Sequence, residues 1–233
     1  MKTIAVIGAL NEEVGLIARS LSNLSHSADS QQASLDVVQG DIKSTSGEEI
    51  RVIATVGGMG TVNAASTTQY LIATYRPDAV IFSGIAGNLN PSLHINDVVL
   101  GGTLRYLDSD MRLIAQFAPE QNEFHSDPAL LAIADSVLSD MGTKHITGII
   151  ASGNYFVDTA EKIQQVSRVT GADAVEMEGA AVCHVAARNH VPVLVIRALS
   201  DNADTEYESF KDFDISEFAD TAARQVIRII EKL

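Results

Sequence analysis

Val175-Glu176-Met177-Glu178-Gly179-Ala180-Ala181, followed by the run Val193-Leu194-Val195-Ile196-Arg197-Ala198-Leu199 and then Ser200-Asp201, decides how this chain folds. An acidic strand end runs into a helix of small residues, and a buried strand then delivers another carboxylate at its carboxyl end. In an open α/β sheet, ligands bind where strands end and helices begin. Carboxylates converging there suit acid–base chemistry on a polar, uncharged substrate such as a sugar. Acidic side chains also settle at helix N-termini simply because the dipole favours them. That plainer explanation covers Glu176 alone, but not Glu178 and Asp201 together.

The same alternation extends outward in both directions. Residues 3–8 read as a first strand, and Val14, Ile17, Ala18 and Leu21 recur at helical spacing just after it. Residues 22–34 are polar and Ser-rich, a surface connection. Residues 35–42 and 50–56 are β-rich runs joined by a hairpin turn. Gly57-Gly58-Met59-Gly60 opens a helix to about Tyr75, and 79–83 is a buried strand. Further strands fall at 97–105 and 146–151. Asp127-Pro128 caps a helix through Met141, and Asp158 with Glu161 resembles a capping box for a helix to about Val169. After the strand–helix pair at 173–189 and the strand at 193–199, a last helix from Ser216 puts Phe218, Ala222, Val226, Ile229 and Leu233 on one side. The expected fold is a single α/β domain over 1–233, a mixed central sheet flanked by helices on both faces.

A formal net charge of −14 argues against nucleic acid or an anionic membrane surface as partner. No apolar stretch approaches the ~20 residues needed to span a bilayer, and the opening residues read as a strand rather than a signal peptide. The one cysteine, Cys183, rules out an internal disulfide framework and reads as a packed helix residue. A soluble cytoplasmic protein is expected. The six histidines show no metal-ligand spacing, so neither metal nor cofactor is assigned.

Three turns could carry chemistry. Gly8-Ala9-Leu10-Asn11-Glu12-Glu13 lacks the glycines and cation of a phosphate loop and offers two carboxylates instead. Gly57-Gly58-Met59-Gly60 and Ser83-Gly84-Ile85-Ala86-Gly87-Asn88 are glycine turns that let backbone approach a ligand. Two such turns at one sheet edge suggest a shared cleft.

Taken in order, these motifs resemble the 5′-methylthioadenosine/S-adenosylhomocysteine nucleosidases of the nucleoside phosphorylase superfamily. The resemblance covers nearly the whole chain. It rests on Ala9-Leu10-Asn11-Glu12-Glu13-Val14, Ser83-Gly84-Ile85-Ala86-Gly87, Ile95-Asn96-Asp97-Val98-Val99, Ser152-Gly153-Asn154-Tyr155-Phe156-Val157, Val175-Glu176-Met177-Glu178 and Arg197-Ala198-Leu199-Ser200-Asp201. The last two, at their spacing, are the most specific.

By that resemblance the reaction is hydrolysis of the N-glycosidic bond between adenine and a 5′-substituted ribose, without a cofactor. Glu13 matches the glutamate that activates water, with Glu12 as second choice. Asp201 matches the aspartate that protonates purine N7, supported by Ser200 and Arg197. Glu178 would accept hydrogen bonds from the ribose hydroxyls, Met177 would pack on the sugar, and Glu176 of the same motif counts among the substrate-binding residues. Phe156 would stack on the purine, the Val157 backbone would read its edge, and Gly87 falls in the adenine-side turn. A homodimer is implied too.

The physical case stands beside this. Departure of the base leaves an oxocarbenium-like sugar and an anionic purine, and the two carboxyl groups stabilise opposite ends of that charge separation. Asp201 must then hold a proton when it acts. Glu13 must stay ionised, in a wetter or better hydrogen-bonded place.

Ile85 stands where the family commonly has serine, and Asn154 where it has aspartate. The segment after Arg105 also lacks the usual pattern, which bears on the 5′ group more than on the glycosidic chemistry. Phe210 and Phe213 lie on the loop that covers the cleft in relatives. Three rivals remain. A phosphorylase would want a cation in the first turn, where Glu12 and Glu13 would repel phosphate. A non-catalytic nucleoside-binding protein and a futalosine-type substrate are the others.

Overall fold

The computed structural model describes residues 1–27, 34–202 and 214–233. In chain order its elements are β1 (Lys2–Gly8), α1 (Asn11–Ser20), β2 (Ser22–His26), β3 (Val37–Lys43), β4 (Glu49–Val56), α2 (Thr61–Tyr75), β5 (Ala79–Asn88), β6 (Val98–Tyr106), α3 (Met111–Ile114), β7 (Phe124–His125), α4 (Pro128–Asp140), β8 (His145–Ser152), α5 (Ala160–Thr170), β9 (Ala174–Glu176), α6 (Gly179–Arg188), β10 (Val193–Asp201) and α7 (Ser216–Lys232). Among the described residues, no helix is long and apolar enough to cross a membrane. Phe210 and Phe213 lie outside the described residues.

The sheet is mixed, as its sequence pattern implies. β1 runs parallel to β4 and β5, β10 parallel to β5, and β6–β8–β9 parallel to one another. Antiparallel pairings of β10 with β6 and of β5 with β9 close five strands into a ring, β5–β10–β6–β8–β9. The remaining strands form an arm, β1–β4–β3–β2, leaving from β5.

Helices cover both faces because each carries one apolar stripe that must be buried. On one face Leu71 of α2 and Ala180, Val182 and Ala186 of α6 join Phe82 and Val195 in a single core. On the other, Ile17 of α1, Leu138 of α4 and Val226 and Ile229 of α7 pack on Ile81 and Ile196. Residues 218, 222, 226 and 229 are buried on α7 as their spacing requires. Cys183 is fully packed in α6, and burial pushes its thiol upward.

Four local expectations change. Ser22–His26 is a strand rather than a connection; it is a sheet edge exposed at all five residues, so no apolar alternation marks it. β5 does not end at Ser83 but runs through both glycines to Asn88, because β10 pairs alongside as far as Gly87. The N-cap of α5 is Thr159, which accepts from Lys162 N at 3.3 Å, while Asp158 pairs with the Lys162 ammonium at 2.6 Å. The small elements α3 and β7 carry no periodicity that could announce them.

Ile229 is fully buried in the second core. Ile229→Ala is expected to remove about 2–5 kcal/mol of stability, read as a lower urea midpoint with an unchanged slope.

Candidate active site

The strand ends open onto one cavity of about 380 Å³, within the usual size range for a small-molecule site. Of the residues singled out from the sequence, Glu13, Gly87, Phe156, Val157, Glu176, Met177, Glu178, Ser200 and Asp201 all line it; Arg197 does not, nor does the exposed second choice, Glu12. The two glycine turns do share this cleft, through Met59 and through Ile85, Ala86 and Gly87.

Glu13 enters from the first turn of α1 and is 3% exposed. Its Oε2 accepts from Ala9 N at 2.6 Å and Leu10 N at 3.0 Å, and its Oε1 accepts from Ile85 N at 3.0 Å. Ile85 thus serves Glu13 through its backbone, which any side chain at 85 could supply. Gly84 makes room, since a Cβ there would come within 2.4 Å of Glu13 Oε1. Burial raises the Glu13 pKa, while the Arg197 charge and the three N–H donors work against that rise. The Glu13 site is dry and well bonded, and burial outweighs those bonds, so the expected low pKa is not what the site gives: it lies above the ordinary carboxylate value.

Glu176 lies on the cavity wall and pairs with Arg197 behind it. Arg197 is 1% exposed, with its guanidinium carbon 3.9 Å from the Phe82 ring centroid. Its Nη2 donates to Glu176 Oε2 at 2.6 Å. Glu176 also accepts from the Ser152 hydroxyl, from Glu178 N at 3.1 Å and from Gly179 N at 2.8 Å. It so caps the N-terminus of α6 and neutralises Arg197 at once.

Glu178 projects the other way. Its Oε1 accepts from Gly60 N at 2.7 Å across the cleft. Burial, followed by repulsion from Glu176, pushes its pKa up to about 8. Asp201 ends β10, and its Oδ2 accepts from the Ser200 hydroxyl at 2.8 Å. Lys162 fixes the Phe156–Asp158 segment, donating to Phe156 O at 3.0 Å and to Asp158.

Sequence reasoning missed Ser152, Gly60 and Leu10 as partners of these carboxylates. The bonds run to backbone groups or across long separations, so only the glycines at 57, 58 and 60 hinted at any of them.

Carboxylates and the aromatic Tyr155 and Phe156 line one cleft at strand ends of a mixed sheet, in an α/β fold of the phosphorylase type. The sequence profile of the Phosphorylase superfamily matches residues 3–233, and the chain belongs to that superfamily. Within it, the chain is a member of the 5′-methylthioadenosine/S-adenosylhomocysteine nucleosidase family. It is 34% identical over 238 aligned positions to the nucleosidase of that name from Shewanella sediminis (strain HAW-EB3), covering 99% of each chain. The structure of the Neisseria meningitidis 5′-methylthioadenosine/S-adenosylhomocysteine nucleosidase in complex with methylthio-immucillin-A superposes with a TM-score of 0.89 at 30% identity, covering 100% of both chains. Futalosine hydrolase of Helicobacter pylori strain 26695 gives 0.86 at 30% identity, covering 100% of this chain and 98% of its own. The enzyme class is accordingly an N-glycosyl hydrolase of the nucleosidase and futalosine hydrolase type.

Two outcomes are expected from the carboxylates. Arg197→Ala leaves Glu176 charged, buried and unpaired, and should cost about 3–5 kcal/mol in urea unfolding; adding Glu176→Gln should recover much of it. Folded Glu178 holds its proton up to about pH 8, whereas in the unfolded chain it ionises near the ordinary value of about 4.3. The folded state therefore binds more protons between these values, and Glu178 takes stability away as pH rises through that window. Glu178→Gln should raise the melting temperature at pH 8, with the gain shrinking toward pH 5.

Proposed function

We propose that the chain hydrolyses 5′-methylthioadenosine and S-adenosylhomocysteine to adenine and the 5-substituted ribose. The observation that carries this reading is the presence of Glu13 and Asp201 on the wall of one cavity, with no Lys, Arg or His among its described lining residues. Glu13 takes a proton from water, whose oxygen forms the new bond to the anomeric carbon. The electron pair of the broken C–N bond leaves with the purine, and Asp201 supplies the proton to N7. Ser200 orients Asp201 through its hydroxyl. Glu178 accepts from the ribose hydroxyls, Met177 packs on the sugar, and Phe156 and the Val157 backbone hold the base beside Gly87. Glu176 and Arg197 serve the reaction by holding this frame.

Phosphate as the nucleophile would need a cation facing it, and the described wall presents carboxylates instead. Water fits, because a carboxylate can deprotonate it. A futalosine-type nucleoside is a second reading, supported by the 0.86 superposition with futalosine hydrolase. A homodimer is part of the proposal; Val62, Leu113 and Phe117, which are 78%, 62% and 73% exposed, offer apolar surface for it.

Adenine release from both substrates is expected in phosphate-free buffer and should be unchanged by phosphate; release of the base from futalosine, assayed in parallel, would favour the second reading. Asp201→Asn should lower kcat at least ~10²-fold. Release only with added phosphate would make the chain a phosphorylase, and binding of adenine without turnover a nucleoside-binding protein. Light scattering at micromolar concentration should give twice the chain mass, and a monomeric mass would remove the dimer.

A further inference from the structure

Two N–H groups at the start of α2 are taken by side chains from other segments lining the cavity. Gly60 N donates to Glu178 Oε1 at 2.7 Å, and Thr61 N donates to Asn154 Oδ1 at 2.9 Å. The helix has no capping side chain of its own, because its N-cap is Gly60 at φ 93°. Asn154 supplies the missing cap from the loop after β8, and the Thr61 hydroxyl adds a second bond to the same oxygen at 2.9 Å. A Cβ at residue 60 would sit 3.2 Å from that oxygen.

Asn154 is itself held by the loop after β6. Its backbone N donates to Asp108 Oδ2 at 2.8 Å, and its Nδ2 lies 3.5 Å from that oxygen. The two loops are in close contact, since a Cβ on Gly153 would meet Leu107 at 2.5 Å and Asp108 at 3.1 Å. The chain of contacts thus runs from Asp108 to Asn154, on to Thr61 and Gly60, and ends at Glu178.

We propose that Asp108 and Asn154 are a positioning pair that aims Glu178 into the cavity through the first turn of α2, and that the carboxylate at 108 is what demands an amide at 154. The inference rests on the reading that Glu178 takes the ribose hydroxyls. Two donors on Thr61 require an acceptor, while the Asp108 carboxylate on the other side disfavours a second negative charge; the Asn154 amide accepts from the first and turns an uncharged NH₂ toward the second. Aspartate at 154 would accept from Thr61 equally well, yet would set like charges against each other at about the same 3.5 Å separation. Repulsion would loosen the loop from α2 and draw the Gly60 N–H off Glu178. A weaker hold on the sugar, equal in the ground and transition states, raises KM and leaves kcat little changed.

The test is a double-mutant cycle on Asn154→Asp and Asp108→Asn, with 5′-methylthioadenosine as substrate. Asn154→Asp is expected to raise KM about tenfold with kcat held within about threefold, and adding Asp108→Asn should return KM most of the way. A double variant as impaired as Asn154→Asp, or a fall in kcat at unchanged KM, overturns the pairing. The same four proteins are melted without ligand at pH 8. A loss in Asn154→Asp that the second change recovers supports the pair, and additive losses sink it. Melting needs no turnover, so a chain that cleaves no nucleoside would defeat the proposed function while the coupling is still decided.

Discussion

Arg197 sits 1% exposed in the middle of the protein, and a guanidinium there is tolerable only because Glu176 meets it at 2.6 Å and the Phe82 ring lies under it. A buried ion pair is a weak source of stability, since desolvation offsets most of its attraction. Its consequence here is geometric. Arg197 belongs to β10, Glu176 ends β9 and caps α6, and the Ser152 hydroxyl bonded to Glu176 ends β8. One pair therefore ties two strand ends and a helix N-terminus to the middle of β10, and these are the elements whose following residues, Asn154, Glu178 and Asp201, face the cavity.

The same cation orders the electrostatics. Glu13, Glu176 and Glu178 are all less than 9% exposed, and Arg197 is the positive charge that lowers the cost of ionising both Glu13 and Glu178. Glu13 has three N–H donors besides; Glu178 has Gly60 across the cleft and Glu176 repelling it. Burial pushes both pKa values up, and what differs is the opposing set: Arg197 and three backbone donors at Glu13, Gly60 and Arg197 against the repulsion of Glu176 at Glu178.

Much of this was legible in order along the chain. Strands rich in Val and Ile, helices with a 3.6-residue stripe, and the two acidic motifs at strand ends led to the fold class, and to a set of site residues of which all but Arg197 and the second-choice Glu12 line one cavity. What escaped notice lacked a periodic signal. The exposed edge strand Ser22–His26 has no buried face, and α3 and β7 are too short to have a pattern. The run of β5 through Gly84 and Gly87 read as a turn because glycine usually breaks a strand; here the missing side chain at 84 leaves the space that Glu13 fills.

The amino-acid sequence by itself determined which residue types stand at which strand ends, because hydrophobic period and turn chemistry are local properties of consecutive residues. Tertiary structure alone decided their division of labour. Glu176 and Glu178 are two residues apart in one motif, yet the first faces Arg197 and the second reaches Gly60, 118 positions away. Asn154 likewise became the cap of a helix 93 residues earlier. Such roles follow from which donor or charge the fold brings within 3 Å of a side chain, and that distance is set by the packing of the whole sheet rather than by any neighbour in the chain.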